Sequence, residues 1–68
     1  MSEINMKYEE KYAVRTVDIL NPCGGYRLTE LKAKKIVTTE TETIFYDYYG
    51  CVSGCFKNSI LLGYVKID

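Results

Sequence analysis

The stretch "YDYYGCVSGCFK", residues 46–57, carries the side chains of this sequence that are best suited to chemistry. Two cysteines, Cys51 and Cys55, follow directly on a run of tyrosines and are separated by three residues. Cysteine thiolates bind zinc and exchange disulfides, whereas tyrosine rings provide contact area with a hydrogen-bonding tip. The stretch is therefore compatible with a metal site, a redox pair, a recognition surface or a plain turn.

Zinc is one interpretation of the cysteines. A structural zinc site takes four ligands and often begins with a closely spaced cysteine pair, a spacing that Cys51 and Cys55 satisfy. Because the chain contains no histidine, Cys23 would have to be the third ligand, with a carboxylate or a second chain supplying the fourth. This ligand set is unusual, so we expect no metal and no other cofactor. A zinc site of Cys23, Cys51 and Cys55 at a dimer interface stays as an alternative.

Redox chemistry is a second interpretation. A catalytic redox pair is expected as C-x-x-C at the start of a helix, where the helix dipole lowers the pKa of one thiol. The spacing here is three residues, and a glycine precedes each cysteine. We therefore expect a glycine-rich connection between two strands, in which the cysteines act as small apolar residues. A reversible Cys51–Cys55 disulfide in an oxidising sample is the remaining redox interpretation, although closing so short a loop would stabilise the fold little.

Catalytic groups are scarce in the rest of the chain. Without histidine the commonest general base is missing, and no Ser-His or Cys-His arrangement can form. The pairs Glu9–Glu10 and Glu40–Glu42 stand in polar surroundings, where the pKa shifts needed for acid–base catalysis are hard to arrange. The glycines of "NPCGGYR" complete neither a phosphate-binding loop nor a dinucleotide-binding motif. These observations indicate a protein that is not an enzyme.

The length of the chain limits its core. A domain of 68 residues buries only about 60% of the surface that its unfolded chain exposes. Hydrophobic residues make up 47% and charged residues 26%, which is typical of a globular chain, so we expect one domain over residues 1–68 with residues 1–6 frayed. The N-terminus has no signal-peptide pattern, and the longest apolar run, "ILLGYV", is far shorter than a membrane span. A cytoplasmic location is therefore expected.

The first half of the chain predicts a strand followed by a tight turn. In "KYAVRTVDIL", residues 11–20, the side chains of Tyr12, Val14 and Thr16 alternate with those of the opposite face, and the segment is rich in β-branched residues. "NPCGG", residues 21–25, combines Asn, Pro and two glycines, which supply turn conformations that other residues resist. This is the strongest break in the sequence.

The second half is β-like in composition. The segment 26–37 fits either a strand or a short helix around residues 28–36, and the hairpin-type turn before it favours the strand. "IVTTETETIFYDYY", residues 36–49, is too long for one strand of so small a domain, so it must break at the polar "TTET". "SILLGYVKI" ends the chain as a strand in which Gly63 indicates either a bulge or a close approach of another backbone segment. The fold class is therefore mostly β (all-β or α+β): four to five short antiparallel strands in a meander or small open barrel, with at most one short helix around 28–36.

Charged residues form two blocks although the formal net charge is zero. Basic residues concentrate between positions 27 and 35, and acidic residues follow them. Opposite charges on facing strands stabilise a sheet, so we expect Lys34 and Lys35 to lie near Glu40 and Glu42 on adjacent strands.

Tyrosines give the only positive indication of function, since seven of the residues are tyrosine and three of these crowd together. A small domain cannot bury them all, and exposed tyrosines are enriched at protein interfaces. We therefore expect a small non-enzymatic binding protein that acts on a larger partner protein as regulator, inhibitor or adaptor, of the kind that phages and mobile elements encode. A thin core and open strand edges also predict a homo-oligomer, most simply a dimer. The expected contact residues are Tyr46, Tyr48, Tyr49, Val52, Ser53, Tyr26 and Arg27.

Nucleic acid is the alternative partner. In a small β-barrel the tyrosine rings would stack on bases while a basic patch contacts phosphates. The zero net charge speaks against this alternative, because nucleic-acid-binding domains are commonly basic. The phosphate contacts it predicts are Arg27, Lys32, Lys34 and Lys35.

Overall fold

The structure is a computed structural model, and it describes residues 1–21 and 23–67. Five strands and no helix occur in these residues, which confirms the predicted mostly β fold and settles residues 28–36 as strand. Pro22, which belongs to the predicted "NPCGG" turn, lies outside the described residues. The strands are β1 (Ser2–Val17), β2 (Tyr26–Thr38), β3 (Glu42–Tyr46), β4 (Val52–Lys57) and β5 (Leu61–Ile67).

The strands form one antiparallel sheet in the order β4-β3-β2-β1-β5. The first four strands make a meander, and β5 returns to pair with the free side of β1. In a flat sheet the edge strands β4 and β5 would be about 19 Å apart, since neighbouring strands are spaced by about 4.8 Å. Only residues 58–60 connect these two strands, and a connection of that length reaches at most about 15 Å. The sheet must therefore curl, although it remains open.

The inner face of the curled sheet holds the core. On β1 the side chains of Tyr12, Val14 and Thr16, which alternate along the strand, are buried. The rings of Phe45 on β3 and Tyr64 on β5 lie 5.2 Å apart, although two strands separate β3 from β5 in the sheet. This contact is a direct result of the curl. The buried apolar side chains are Tyr12, Val14, Ala33, Ile36 and Phe45, with Met6, Leu31, Phe56, Leu61 and Tyr64 packed against them.

The N-terminal half of β1 is paired, which corrects the expectation that residues 1–6 are frayed. Residues 2–5 pair with residues 35–38 because β2, with 13 residues, extends far enough to offer them a partner. The register then shifts between Asn5 and Glu10, so residues 6–9 form a bulge opposite a single residue of β2. The bulge directs Met6 towards the core. It therefore contributes to packing and is more than a defect in the ladder.

The break predicted at "TTET" is confirmed, because β2 ends at Thr38 and β3 begins at Glu42. Asn58, in the connection between β4 and β5, holds this turn in place. Its backbone N–H donates to the carbonyl oxygen of Thr41 (2.9 Å) and its side-chain amide donates to that of Thr39 (2.8 Å). Asn58 thus ties together the two connections that meet where the sheet curls.

The predicted bulge at Gly63 is also confirmed. Gly63 pairs with Arg15, whereas Leu61 pairs with Thr16, so Leu62 is the extra residue on β5. The shift lets Leu61 and Tyr64 both pack against the core although they stand three positions apart.

The expected ion pairs between the two charge blocks do not form. Lys35 lies opposite Tyr46 in the sheet, and its ammonium group is 3.5 Å from a carboxylate oxygen of Glu3. Glu42 lies opposite Lys57. The expectation was wrong because burial of apolar residues sets the register of β2 and β3, and this register leaves no acidic residue opposite Lys35.

Gly54 is required by the packing of the inner face. It lies opposite Phe45, and a Cβ atom at this position would be 2.6 Å from Cδ2 of Leu31 and 3.1 Å from the ring of Phe56. We expect Gly54→Ala to lower the free energy of unfolding by about 1–3 kcal/mol, as overpacking commonly does. Thermal or denaturant unfolding followed by circular dichroism measures this change.

A double-mutant cycle with Leu31→Ala tests the cause. Shortening Leu31 removes the contacted atom, so the two substitutions together should cost less than the sum of their separate effects. Additive costs would mean that the Gly54 substitution acts on the backbone and not through the Leu31 contact.

Candidate functional site

The connection between β3 and β4, residues 47–51, is a tight turn that we call the tyrosine turn. The N–H of Gly50 donates to the carbonyl oxygen of Asp47 (3.1 Å), and the N–H of Asp47 donates to that of Cys51 (2.8 Å). Gly50 has a φ of 82°, whereas no other residue of the turn has a positive φ. These features define a type I turn followed by a left-handed glycine, a common hairpin connection. Tyr48 and Tyr49 occupy its two central positions and therefore form its tip.

Side-chain carboxylates satisfy the remaining N–H groups of the turn. Oδ1 of Asp47 accepts hydrogen bonds from the N–H groups of Tyr49 and Cys51, both at 2.9 Å. The N–H of Tyr48 donates to Oε2 of Glu9 at 2.8 Å. Since Glu9 belongs to the bulge of β1, the tyrosine turn is anchored to a distant part of the chain. Every backbone N–H from residue 47 to 51 therefore has an acceptor, and the tip is held in one conformation.

The sequence contains a signal for one of these anchors and none for the other. Aspartate at the first position and glycine at the fourth are preferred in type I turns, and "DYYG" has both. Glu9 contacts a residue 39 positions away, so no local pattern could have identified it.

The two tyrosines at the tip differ in how their rings are covered. They meet edge to face, with centroids 5.3 Å apart, and are 61% (Tyr48) and 84% (Tyr49) exposed. The ammonium group of Lys34 lies 5.0 Å from the centroid of Tyr48. Cations lie over three further tyrosine rings in the same way: Lys7 on Tyr8, Arg15 on Tyr26 and Lys35 on Tyr46. Among the described residues, Tyr49 is thus the exposed tyrosine without a cation over its ring.

Two further predicted contact residues, Tyr46 and Val52, lie beside the turn. A third, Ser53, forms hydrogen bonds within the sheet. Tyr46, at the end of β3, is half-buried on the outer face, directly opposite the exposed Val52. The hydroxyl of Ser53 donates to the carbonyl oxygen of Lys32 at 2.8 Å, and the carbonyl oxygen of Phe45, at 3.2 Å, is a second acceptor within reach of the same proton. Ser53 therefore links β4 to β2, and the predicted contact residues that lie together are those of the turn with Tyr46 and Val52.

Tyr26 and Arg27 do not belong to this surface. They begin β2, eight residues before Lys34, which corresponds to about 26 Å along an extended strand. Tyr26 lies opposite Val17 on the outer face, whereas Arg27 lies opposite the buried Thr16 on the inner face. The length of β2 therefore separates Tyr26 and Arg27 from the other predicted contact residues.

The four predicted phosphate contacts do not form a common basic patch. Arg27 is on the inner face, whereas Lys35 is on the outer face beside Glu3. Lys34 lies against the ring of Tyr48. Lys32 lies opposite Lys11, which itself forms an ion pair with Glu30 at 3.1 Å. A phosphate backbone would therefore meet separate cations, several of which already have partners.

The cysteines are separated by the strand geometry. Cys51 and Cys55 are four residues apart along an extended segment, which places their Cα atoms about 12 Å apart. A disulfide requires less than about 7 Å, so the pair cannot form one in this fold, nor can both thiols bind one metal ion. Cys23 lies in the connection between β1 and β2. Within residues 1–21 and 23–67 no group of three or more metal-binding side chains occurs.

The chain matches no family model, no curated protein and no solved structure. The described part of the chain contains no helix long and apolar enough to cross a membrane.

Asp47 should control the order of the tyrosine turn. We expect Asp47→Ala to lower the free energy of unfolding by about 1 kcal/mol, because two backbone N–H groups lose their acceptor. Amide hydrogen exchange should speed up at Tyr49 and Cys51, as measured by NMR. Asp47→Asn is the matched control, since its side-chain carbonyl can still accept both bonds and should leave the exchange rates close to those of the unmodified protein. Equal protection in all three proteins would show that the carboxylate does not order the turn.

Cys55 should be the slowest of the cysteines to react with alkylating agents. Its thiol donates to Oε2 of Glu42 at 3.2 Å, and this hydrogen bond, with partial burial and the nearby negative charge, raises the pKa of the Cys55 thiol above its usual value. Below a raised pKa less of the reactive thiolate is present, so iodoacetamide at pH 8 should modify Cys55 severalfold more slowly than Cys51. Glu42→Gln should raise the Cys55 rate severalfold, as peptide mass spectrometry can measure. Glu40→Gln, which leaves the contact intact, should not change it.

Proposed function

We propose that this chain is a small non-enzymatic binding protein whose tyrosine turn contacts a larger partner protein, which it regulates, inhibits or assembles. The observation that carries the proposal is the state of Tyr49: its ring is exposed, has no cation over it and stands on a turn whose backbone N–H groups all have acceptors. Large rings held in place in this way are common anchors at protein interfaces.

The order of the tyrosine turn supports binding in energetic terms. Association normally costs free energy because loops and side chains lose conformational freedom at the interface. Asp47 and Glu9 already restrict the backbone of the turn, and the contact of the Tyr48 ring with Tyr49 restricts the side chains. The turn therefore loses most of its conformational freedom during folding, and little remains to be lost on binding. Val52 and Tyr46 extend the surface along the outer face beside the tip.

A protein partner suits this surface better than a nucleic acid does. Base stacking needs free ring faces, whereas the faces of Tyr46 and Tyr48 are contacted by Lys35 and Lys34. The predicted phosphate contacts are also dispersed over both faces of the sheet, and the formal charge is zero. A cytoplasmic setting and a phage or mobile-element origin belong to the same proposal, and composition alone supports them.

Homodimerisation stays a prediction. Among the described residues, β4 and β5 each pair with one neighbour and so leave one edge of backbone groups open. An edge of this kind can pair with a second copy without involving the tyrosine turn.

Photo-crosslinking tests the proposed contact. A photoreactive phenylalanine analogue placed at Tyr49 should form a covalent adduct with one defined protein in the producing cells. The same analogue at Tyr26 is the matched control, because Tyr26 is also an exposed tyrosine but has Arg15 over its ring and lies at the far end of β2. Mass spectrometry of the adduct identifies the partner.

The affinity for that partner then tests the role of the ring. We expect Tyr49→Ala to weaken binding by about thirtyfold, the effect of losing an interface anchor worth about 2 kcal/mol, and Tyr26→Ala to change it little. Unchanged affinity of a folded variant with alanine at Tyr46, Tyr48 and Tyr49 would overturn the proposal.

A further inference from the structure

A groove of about 450 Å³ opens at the end of the inner face, away from the tyrosine turn. Its apolar walls come from the end of β1 and the loop after it, from β4 and from the connection before β5. The N–H of Val17 donates to the carbonyl oxygen of Ile60 at 2.8 Å, which fixes two of these segments against each other. The apolar lining residues are Val17, Ile19, Leu20, Phe56 and Ile60.

Two of these apolar side chains have little protein cover. Ile19 is 71% exposed and Leu20 is 87% exposed, although the groove lies directly beside them. The volume is within the range of about 300–1,000 Å³ that is usual for small-molecule sites. The groove therefore has the size and the lining for a short apolar chain.

One charged residue, Arg27, lines the same groove. It lies opposite the buried Thr16, so its side chain is on the inner face. The following residues of β2 on the same face are Thr29 and Leu31. No carboxylate of the described residues forms an ion pair with Arg27. The other arginine of the chain, Arg15, is on the outer face over the ring of Tyr26. Arg27 thus places a positive charge, without an ion-pair partner among the described residues, at the wall of a groove whose other lining side chains are apolar or threonine.

We propose that this groove binds a free alkyl carboxylate, with the carboxylate on the guanidinium of Arg27 and the alkyl chain between Leu20 and Phe56. Guanidinium groups bind carboxylates through paired, charge-assisted hydrogen bonds. The charge complementarity selects an anion, and the apolar lining selects a chain over a small polar ion. This site is separate from the tyrosine turn and does not depend on the proposed partner protein.

NMR titration of the isotopically labelled protein with hexanoate, octanoate and decanoate tests the site. Amide shifts at Val17, Leu20 and Ile60 should saturate with one ligand per chain. Each pair of added methylenes should tighten binding by about an order of magnitude, as expected for burial of apolar groups. Shifts that do not saturate, or that show no dependence on chain length, would overturn the proposal.

Variants of the two arginines distinguish binding through the charge of Arg27 from non-specific apolar binding. Arg27→Gln should weaken decanoate binding by about ten- to hundredfold while leaving the weaker binding of octanol unchanged. Arg15→Gln, a matched change of the arginine on the outer face, should leave both ligands unaffected. Equal decanoate affinity in the two variants would show that Arg27 does not hold the carboxylate. Binding of a peptide with an apolar C-terminus in the absence of any alkanoate binding would likewise refute the assignment.

Discussion

The ring of Phe45 contacts aromatic side chains from three other strands. Its centroid lies 5.2 Å from that of Tyr64, 5.8 Å from that of Phe56 and 6.1 Å from that of Tyr12. These distances require the sheet to curl around the ring, and the short connection between β4 and β5 requires the same curl. A core of so few side chains cannot tolerate extra volume, which is why the position opposite Phe45 is the glycine Gly54.

The curl also determines where the two candidate sites lie. Because the long strands β1 and β2 extend beyond their short neighbours, the β1 bulge comes beside the β3–β4 connection and Glu9 can bond to Tyr48. At the other end of the sheet, the core side chains do not cover the whole inner face. This leaves a groove that Arg27 lines. Both sites thus lie where a long strand extends beyond a shorter neighbour. The core lies where neighbouring strands run side by side.

Local patterns in the sequence predicted the local features and failed for contacts between distant residues. Strand composition, the polar break before Glu42 and the bulge at Gly63 were all readable, since each depends on propensities of neighbouring residues. The pairing of residues 2–5 and the partner of Lys35 were missed, because both follow from the register of long strands. The separation of Arg27 from the tyrosine turn was missed because β2 is one unbroken strand of 13 residues.

The choice among the tyrosines shows how the charged residues shape the candidate site. A small sheet with many exposed rings risks non-specific association, since exposed apolar patches and open edges attract other chains. Cations over Tyr8, Tyr26, Tyr46 and Tyr48 reduce this risk by covering one face of each ring with a hydrated charge. Tyr49 is left uncovered on a turn whose backbone N–H groups all have acceptors. Three lysines and Arg15 thus each cover one face of a tyrosine ring, and Tyr49 remains as the exposed ring on which the proposed contact surface rests.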